Sequence, residues 1–212
     1  MISIIIPVTD PLRLLDPTKN IDTELIKSFV NEECEIIIEL DRFREGKGIT
    51  LQRGLRRAHG GTIVWLDDDM QIHPDHLREL LVTKGDIVIG SKHNPLSYTQ
   101  YGWFRKLVRF LGACVTRLLF NLPITDTQTG LKRFRRDILD KEWKVKGFGH
   151  DIEVLQWAYE NKYNITQVPV IITSSEDSSV NAISIIRTLM EVLWLKCQLS
   201  FPVRGKKKPK SA

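Results

Sequence analysis

Residues 62–71 read Thr62-Ile63-Val64-Trp65-Leu66-Asp67-Asp68-Asp69-Met70-Gln71. The run Thr62–Leu66 has the length and the β-branched and aromatic content of a buried strand. Three carboxylates at the tip of a buried strand are costly unless a cation or another positive group faces them. In an extended chain alternate residues share one side. Asp67, Asp69 and Gln71 then point the same way and present three oxygen ligands. That is a hard-oxygen site of the kind Mg²⁺ or Mn²⁺ takes, completed by water and phosphate oxygens.

Strands and helices alternate on both sides of this stretch. Ile2–Val8 is a continuous apolar run, Asp22–Val30 carries Leu25, Ile26, Phe29 and Val30 at helical spacing, and Glu35–Leu40 reads as a second strand. Thr50–His59 is predicted as a helix with Leu51, Leu55 and Ala58 inward, stopped by Gly60-Gly61. His73-Pro74-Asp75 opens another helix, with proline at its first position and an acid in its first turn. Asp86–Gly90 is a fourth strand. This alternation predicts an α/β fold with a mainly parallel sheet covered on both faces. Ligands of such sheets sit beyond the carboxyl ends of the strands, where Asp67–Gln71, Thr9-Asp10 and Asp41 fall. After Gly90 the pattern changes. Tyr101–Leu122 is long and mostly apolar, with Arg105, Arg109 and Arg117 at spacings that share roughly one helical face. A short Leu131–Phe134 stretch, a helix near Asp151–Asn161, a last strand Ile165–Ile172 and an amphipathic helix Val180–Leu199 follow.

Composition bounds the class. With 212 residues, 42% hydrophobic and 27% charged, the chain is an ordinary globular one. Cys34, Cys114 and Cys197 are odd in number and far apart, which argues for free thiols in a reducing compartment and against a zinc site. The N-terminus lacks the basic lead and the length of a secretory signal. No uninterrupted apolar run of about 20 residues predicts a spanning helix. The formal charge of +5 matches the basic residues of the tail, Arg204, Lys206, Lys207, Lys208 and Lys210. That tail reads either as a solvated, disordered end or as a polybasic segment drawn to anionic lipid. No nucleic-acid motif accompanies it.

Four further clusters bear chemistry. Gly46-Lys47-Gly48 precedes the expected Thr50 helix. It is not a phosphate-binding P-loop, because Asp41 stands where the first glycine belongs and Ile49 where Ser or Thr belongs. It is either a plain turn or a lysine presented to a diphosphate. Asp126-Thr127-Gln128-Thr129-Gly130-Leu131-Lys132 packs polar side chains into a tight turn. Gly149-His150-Asp151-Ile152-Glu153 starts a helix, and Asp151 is placed to act as a base or to orient an acceptor. The arginines of the apolar segment suit either a surface stripe or an anion site beside lipid.

Together these residues resemble the family 2 glycosyltransferases of the GT-A fold, in the branch of the dolichyl-phosphate mannose and glucose synthases. The resemblance runs from about Ile2 to Val180. It is carried, in order, by Gly46-Lys47-Gly48 with Gly54 and Ala58-His59-Gly60, by Asp67–Gln71, by Gly90-Ser91-Lys92, by Asp126–Lys132 and by Phe148–Leu155. It implies a nucleoside-diphosphate sugar donor, GDP-mannose or UDP-glucose, and an inverting displacement at the anomeric carbon. Asp67 and Asp68 then face the nucleotide, Asp67, Asp69 and Gln71 hold Mg²⁺ or Mn²⁺, and Lys47 meets the diphosphate. The segments that cradle the base fall on Pro7, Val8, Thr9 and Asp10 and on Glu39 and Asp41. Both segments depart from the family pattern, which leaves the base open. Lys92, Arg109, Arg117, Thr129 and Lys132 become the grip on an acceptor phosphate, and Asp151 the catalytic carboxylate.

The expected layout is a catalytic domain over residues 1–179, an amphipathic helix over 180–203 and a basic tail over 204–212. The helix can pack on the domain, pair in a homodimer or lie in a bilayer interface. The acceptor implied is a polyprenyl phosphate at the cytoplasmic face of a membrane. A soluble enzyme with a hydroxyl acceptor and a non-catalytic sugar-nucleotide-binding module are the alternatives.

Overall fold

The computed structural model describes residues 1–8, 21–30, 32–68, 75–99, 112, 114–172 and 182–200. The elements in chain order are β1 (Ile2–Val8), α1 (Thr23–Ser28), β2 (Cys34–Leu40), α2 (Lys47–Arg57), β3 (Thr62–Leu66), α3 (Asp75–Val82), β4 (Ile87–Ser91) and β5 (Tyr98–Thr99). After helical residues at 114–120 come β6 (Leu131–Arg135), α4 (Arg136–Leu139), α5 (His150–Glu160), β7 (Ile165–Pro169), β8 (Ile171–Ile172) and α6 (Ala182–Ser200).

One six-stranded sheet, in the order β2-β1-β3-β6-β4-β7, organises the molecule. β1 is buried along its whole length because helices cover both of its faces. Alternate residues divide between two cores. Ile5, Ile63 and Trp65 pack with Leu51 of α2, Leu155 of α5 and Val192 of α6. Ile4, Val64 and Leu66 pack with Ile26 of α1 and with Leu77 and Leu80 of α3. The α/β sheet expected from the alternating pattern is therefore present.

Two expectations are corrected, and one stretch left without an element type is assigned. The Leu131–Phe134 stretch is a full strand, β6, and runs antiparallel between β3 and β4. Its amino end thus lies at the carboxyl ends of its parallel neighbours, which carries the Asp126–Gly130 loop to the ligand edge of the sheet. The strand expected over Ile165–Ile172 is two strands in two sheets, because β8 leaves β7 to pair with β5. The break falls at Pro169-Val170, where proline has no N–H for a ladder and the Val170 amide donates to Ser97 Oγ at 2.9 Å. The helix expected from Thr50 begins at Lys47. Asp41 draws this start forward: its carboxylate accepts the amides of Glu45 and Gly46 at 2.8 Å each. Gly46 then takes φ +109°, a left-handed value that a side chain would strain.

Candidate active site

Lys47 occupies an unfavourable place. It is the first residue of α2, where the helix dipole is positive, and it is 7% exposed. A buried cation there needs carboxylates, and two elements supply them. Asp67, just past β3, lies 2.7 Å from Lys47 Nζ, and Asp151, in the first turn of α5, lies at 3.7 Å. Lys132 of β6 completes the group at 3.1 Å from Asp151 Oδ2, and it also donates to the Thr129 carbonyl. Lys132 and Asp151 are each 1% exposed. Two acids and two lysines from β3, α5, α2 and β6 therefore form one charge-balanced cluster at the ligand edge.

Burial alone would raise the Asp151 carboxyl. Lys132 and then Lys47 outweigh it and hold the group below the ordinary carboxylate range. Burial lowers the Lys132 ammonium, with Asp151 opposing. His150 lies between Trp65 and Trp143, with ring centroids at 5.5 and 5.9 Å. Burial pushes its imidazole down to about 4, and the two lysine charges act in the same direction against Asp151. It is neutral at physiological pH.

The Asp126–Gly130 loop is built around Asp126. Its Oδ2 accepts the Lys92 amide at 3.0 Å and lies 3.8 Å from Lys92 Nζ, and its Oδ1 accepts the Gln128 amide at 3.2 Å. Burial would raise this carboxyl, but the Lys92 charge and amide keep it low. Thr129 is fully buried, and its hydroxyl has no hydrogen-bond partner among the described residues. The Gly130 carbonyl accepts the Asp67 amide at 2.9 Å. A Cβ at Gly130 would overlap the Asp67 carboxylate, so the absent side chain leaves the room in which that carboxylate sits.

The structure thus brings together Lys47, Asp67, Thr129, Lys132 and Asp151, with half-buried Asp68 beside Asp67 and Lys92 beside Asp126. Other expected residues stand elsewhere. Pro7 and Val8 are buried within β1, and the Val8 carbonyl accepts the Asp41 amide at 2.8 Å. Both oxygens of Asp41 serve the α2 entry loop, and Glu39 pairs with Arg57 at 2.8 Å. Arg117 is exposed while its neighbours Thr116 and Phe120 are buried. Thr9, Asp10, Asp69, Gln71 and Arg109 lie outside the described residues. Sequence reasoning missed Asp126 as the anchor of Lys92 and missed the pairing of Lys47 and Lys132 with the two acids. The signal was present: two acids in the ordered motifs are matched by two motif lysines.

Among the described residues, no group of three His, Cys, Asp or Glu side chains converges as a complete metal site. The Asp67 carboxylate is about one-third exposed and opens on the edge. It supplies the hard oxygen that Mg²⁺ or Mn²⁺ takes when one or two protein carboxylates and substrate phosphates share the ion. Donor chemistry and position fit such an ion at Asp67.

Known proteins share this architecture. Glucosyl-3-phosphoglycerate synthase of Mycobacterium tuberculosis, solved in complex with phosphoglyceric acid, superposes with a TM-score of 0.68 at 16% identity, over 97% of this chain and 82% of that one. The same enzyme with Mn²⁺, UDP-glucose and phosphoglyceric acid gives 0.66 at 16% identity, with the same coverage of this chain and 81% of its own. Among sequences, a polyprenol monophosphomannose synthase of Mycolicibacterium smegmatis is 29% identical over 58% of this chain and 49% of its own length. An undecaprenyl-phosphate mannosyltransferase of Micrococcus luteus is 28% identical over 58% of this chain and 53% of its own. The chain thus spans about half the length of the curated relatives it matches. Residues 16–141, more than half of the chain, match the profile described as Glycosyl transferase family 2. With the helix-flanked, mostly parallel GT-A sheet beneath that match, the chain belongs to glycosyl transferase family 2.

Proposed function

We propose that this chain is the catalytic domain of an inverting hexosyltransferase. Its donor is a nucleoside-diphosphate sugar, GDP-mannose or UDP-glucose, and its acceptor a polyprenyl phosphate. The observation that carries the proposal is the buried Lys47–Asp67–Asp151–Lys132 cluster at the carboxyl edge of the sheet. The names of the sequence relatives, which include polyprenol and undecaprenyl phosphate acceptors, support the acceptor class.

In the reaction an acceptor phosphate oxygen forms a bond to the anomeric carbon while the bond to the diphosphate breaks. A lipid monophosphate is largely dianionic at neutral pH, since its second pKa is about 6. It needs positioning more than deprotonation. Asp151 suits that chemistry: closed from solvent and held by two lysines, it is a poor proton acceptor. Its carboxylate orients Lys132 and Lys47 at the edge where phosphates approach. Lys92, with its side chain 14% exposed and its backbone fixed by Asp126, is a further cation for the acceptor phosphate. Asp67, with Asp69 and Gln71, would hold Mg²⁺ or Mn²⁺, which supplies charge neutralisation on the diphosphate when bound.

The lipid acceptor requires a membrane surface, and α6 supports that reading. Val192 and Leu195 face the core, whereas Leu189, Met190, Leu193 and Trp194 are exposed along one stripe. Among the described residues no helix is long and apolar enough to cross a membrane. An exposed Trp-containing stripe followed by the basic tail is the pattern of an interfacial helix.

The test is direct. Purified protein with Mg²⁺ or Mn²⁺ is incubated with labelled GDP-mannose or UDP-glucose and a detergent-solubilised polyprenyl phosphate, and label is followed into lipid extract. Label in a mild-acid-labile lipid is expected. Transfer to no polyprenyl phosphate from either donor would refute the assignment.

A further inference from the structure

Residues 145–149 are a hub between the parts of the site. A Cβ at Gly46 would meet the Lys146 carbonyl at 2.7 Å, and one at Gly48 would meet the Val145 carbonyl at 2.7 Å. The Ile49 amide donates to the Lys146 carbonyl at 3.2 Å, so the start of α2, and with it Lys47, rests on this turn. The Phe148 carbonyl accepts Gln128 Nε2 at 3.2 Å, which ties in the loop ahead of Lys132. Gly149 is the N-cap of α5, two residues before Asp151. A glycine N-cap has no side-chain oxygen for the first amides of its helix, and none is supplied locally.

A carboxylate from α6 instead holds the N-cap residue itself. Glu191 Oε2 accepts the Gly149 amide at 3.0 Å, across 42 residues. The same carboxylate lies where a side chain on Gly147 would project. An acid at this point also complements the positive end of α5. Glu191 is half-buried, with its carboxylate directed at the turn before α5.

We infer that Glu191 is a positioning residue for the transfer reaction: by capping α5 from α6 it fixes the turn from which Asp151 reaches Lys132 and Lys47. This rests on the catalytic reading above. Its carboxylate acts on the turn itself, at Gly149 and beside Gly147. A misplacement of about 1 Å costs on the order of 10²-fold in rate, which sets the scale.

The experiment compares wild type, Glu191→Ala, Glu191→Gln and Gly147→Ala. Transfer kinetics are read alongside backbone amide hydrogen exchange. For Glu191→Ala a fall in kcat of about tenfold to hundredfold is expected, with donor KM within about twofold of wild type. Amides 149–153 should exchange at least about tenfold faster while those of β1 and β3 are unchanged. Glu191→Gln keeps an acceptor oxygen and should restore most of kcat. Gly147→Ala, which displaces the carboxylate without removing it, should reproduce the alanine phenotype. The inference is overturned if Glu191→Ala leaves kcat and the exchange of 149–153 unchanged, or if Glu191→Gln is as impaired as Glu191→Ala. Wild type that transfers no sugar would refute the catalytic reading. In that case the exchange data still decide whether Glu191 holds the turn.

Discussion

At the amino ends of β1 and β2, Glu35 is surrounded by hydrogen-bond donors. Ser3 Oγ and the His59 amide reach its Oε1 at 2.6 Å each, and the His59 ring lies 3.2 Å from Oε2. Ser3 Oγ in turn accepts the Gly60 amide at 2.7 Å. At the opposite end of the same sheet Asp151 meets ammonium groups at 3.1 and 3.7 Å, and its Oδ1 is buried without a hydrogen bond among the described residues. Glu35 retains some solvent, whereas Asp151 and Lys132 are almost wholly closed. The first arrangement matches each polar atom locally and joins strand ends. The second sets charge against charge and leaves acceptor positions open, which is costly for folding alone. A fold keeps such an arrangement where a charged substrate completes it.

The largest effect expected is at Lys132. Lys132→Met leaves Asp151 buried beside the more distant Lys47, and the stability loss by denaturant titration should be about 3–5 kcal/mol, with activity abolished. The double variant Lys132→Met/Asp151→Leu should recover most of that stability and remain inactive. Recovery of activity in the double variant would break the contrast drawn between the two ends. Asp67→Asn should lower kcat by about 10²-fold, with a stability loss smaller than that of Lys132→Met because the Asp67 carboxylate is partly solvated and Lys47 keeps Asp151 as a second acid. Gly130→Ala forces the Asp67 carboxylate aside and should cost about tenfold in activity, with near-native stability.

The smallest effect belongs to the other end. Glu35→Gln should cost about 1 kcal/mol and leave transfer activity at neutral pH intact. Its acid dependence sharpens the comparison. Burial would raise the Glu35 carboxyl, but the Ser3 and His59 hydrogen bonds lower it from 4.5 to about 2. A carboxyl whose folded value is depressed adds stability that is present above its ordinary value and lost as pH falls toward its folded value. Wild type should therefore lose stability between pH 4.5 and about 2, and Glu35→Gln should flatten that slope when unfolding is followed across the range.

Much of this was legible along the chain. The apolar runs at Ile2–Val8 and Thr62–Leu66 specify buried strands, because a strand with both faces covered must be apolar at successive positions. The acids at 67–69 and the ordered glycine, lysine and acid motifs named the chemistry in general terms. Other features were not legible. β6 has the same local pattern whether it runs parallel or antiparallel, so its place between β3 and β4 depends on which neighbours leave a gap. The early start of α2 at Lys47 depends on Asp41 capping a loop from outside the helix. On α6, periodicity correctly marks an amphipathic helix. It cannot say which face turns inward when apolar residues are wide around the axis, and so Leu193 and Trp194 were not separable from Val192 and Leu195.

Sequence alone determined the element types, the strand that carries Asp67 to the ligand edge, and the residue kinds available there, since hydrophobic periodicity and local turn chemistry act over a few residues. Tertiary structure alone decided that Lys47 faces Asp67, that Lys132 faces Asp151, and that Glu191 caps α5. Those pairings join segments tens of residues apart, and they depend on packing directions that no local pattern encodes.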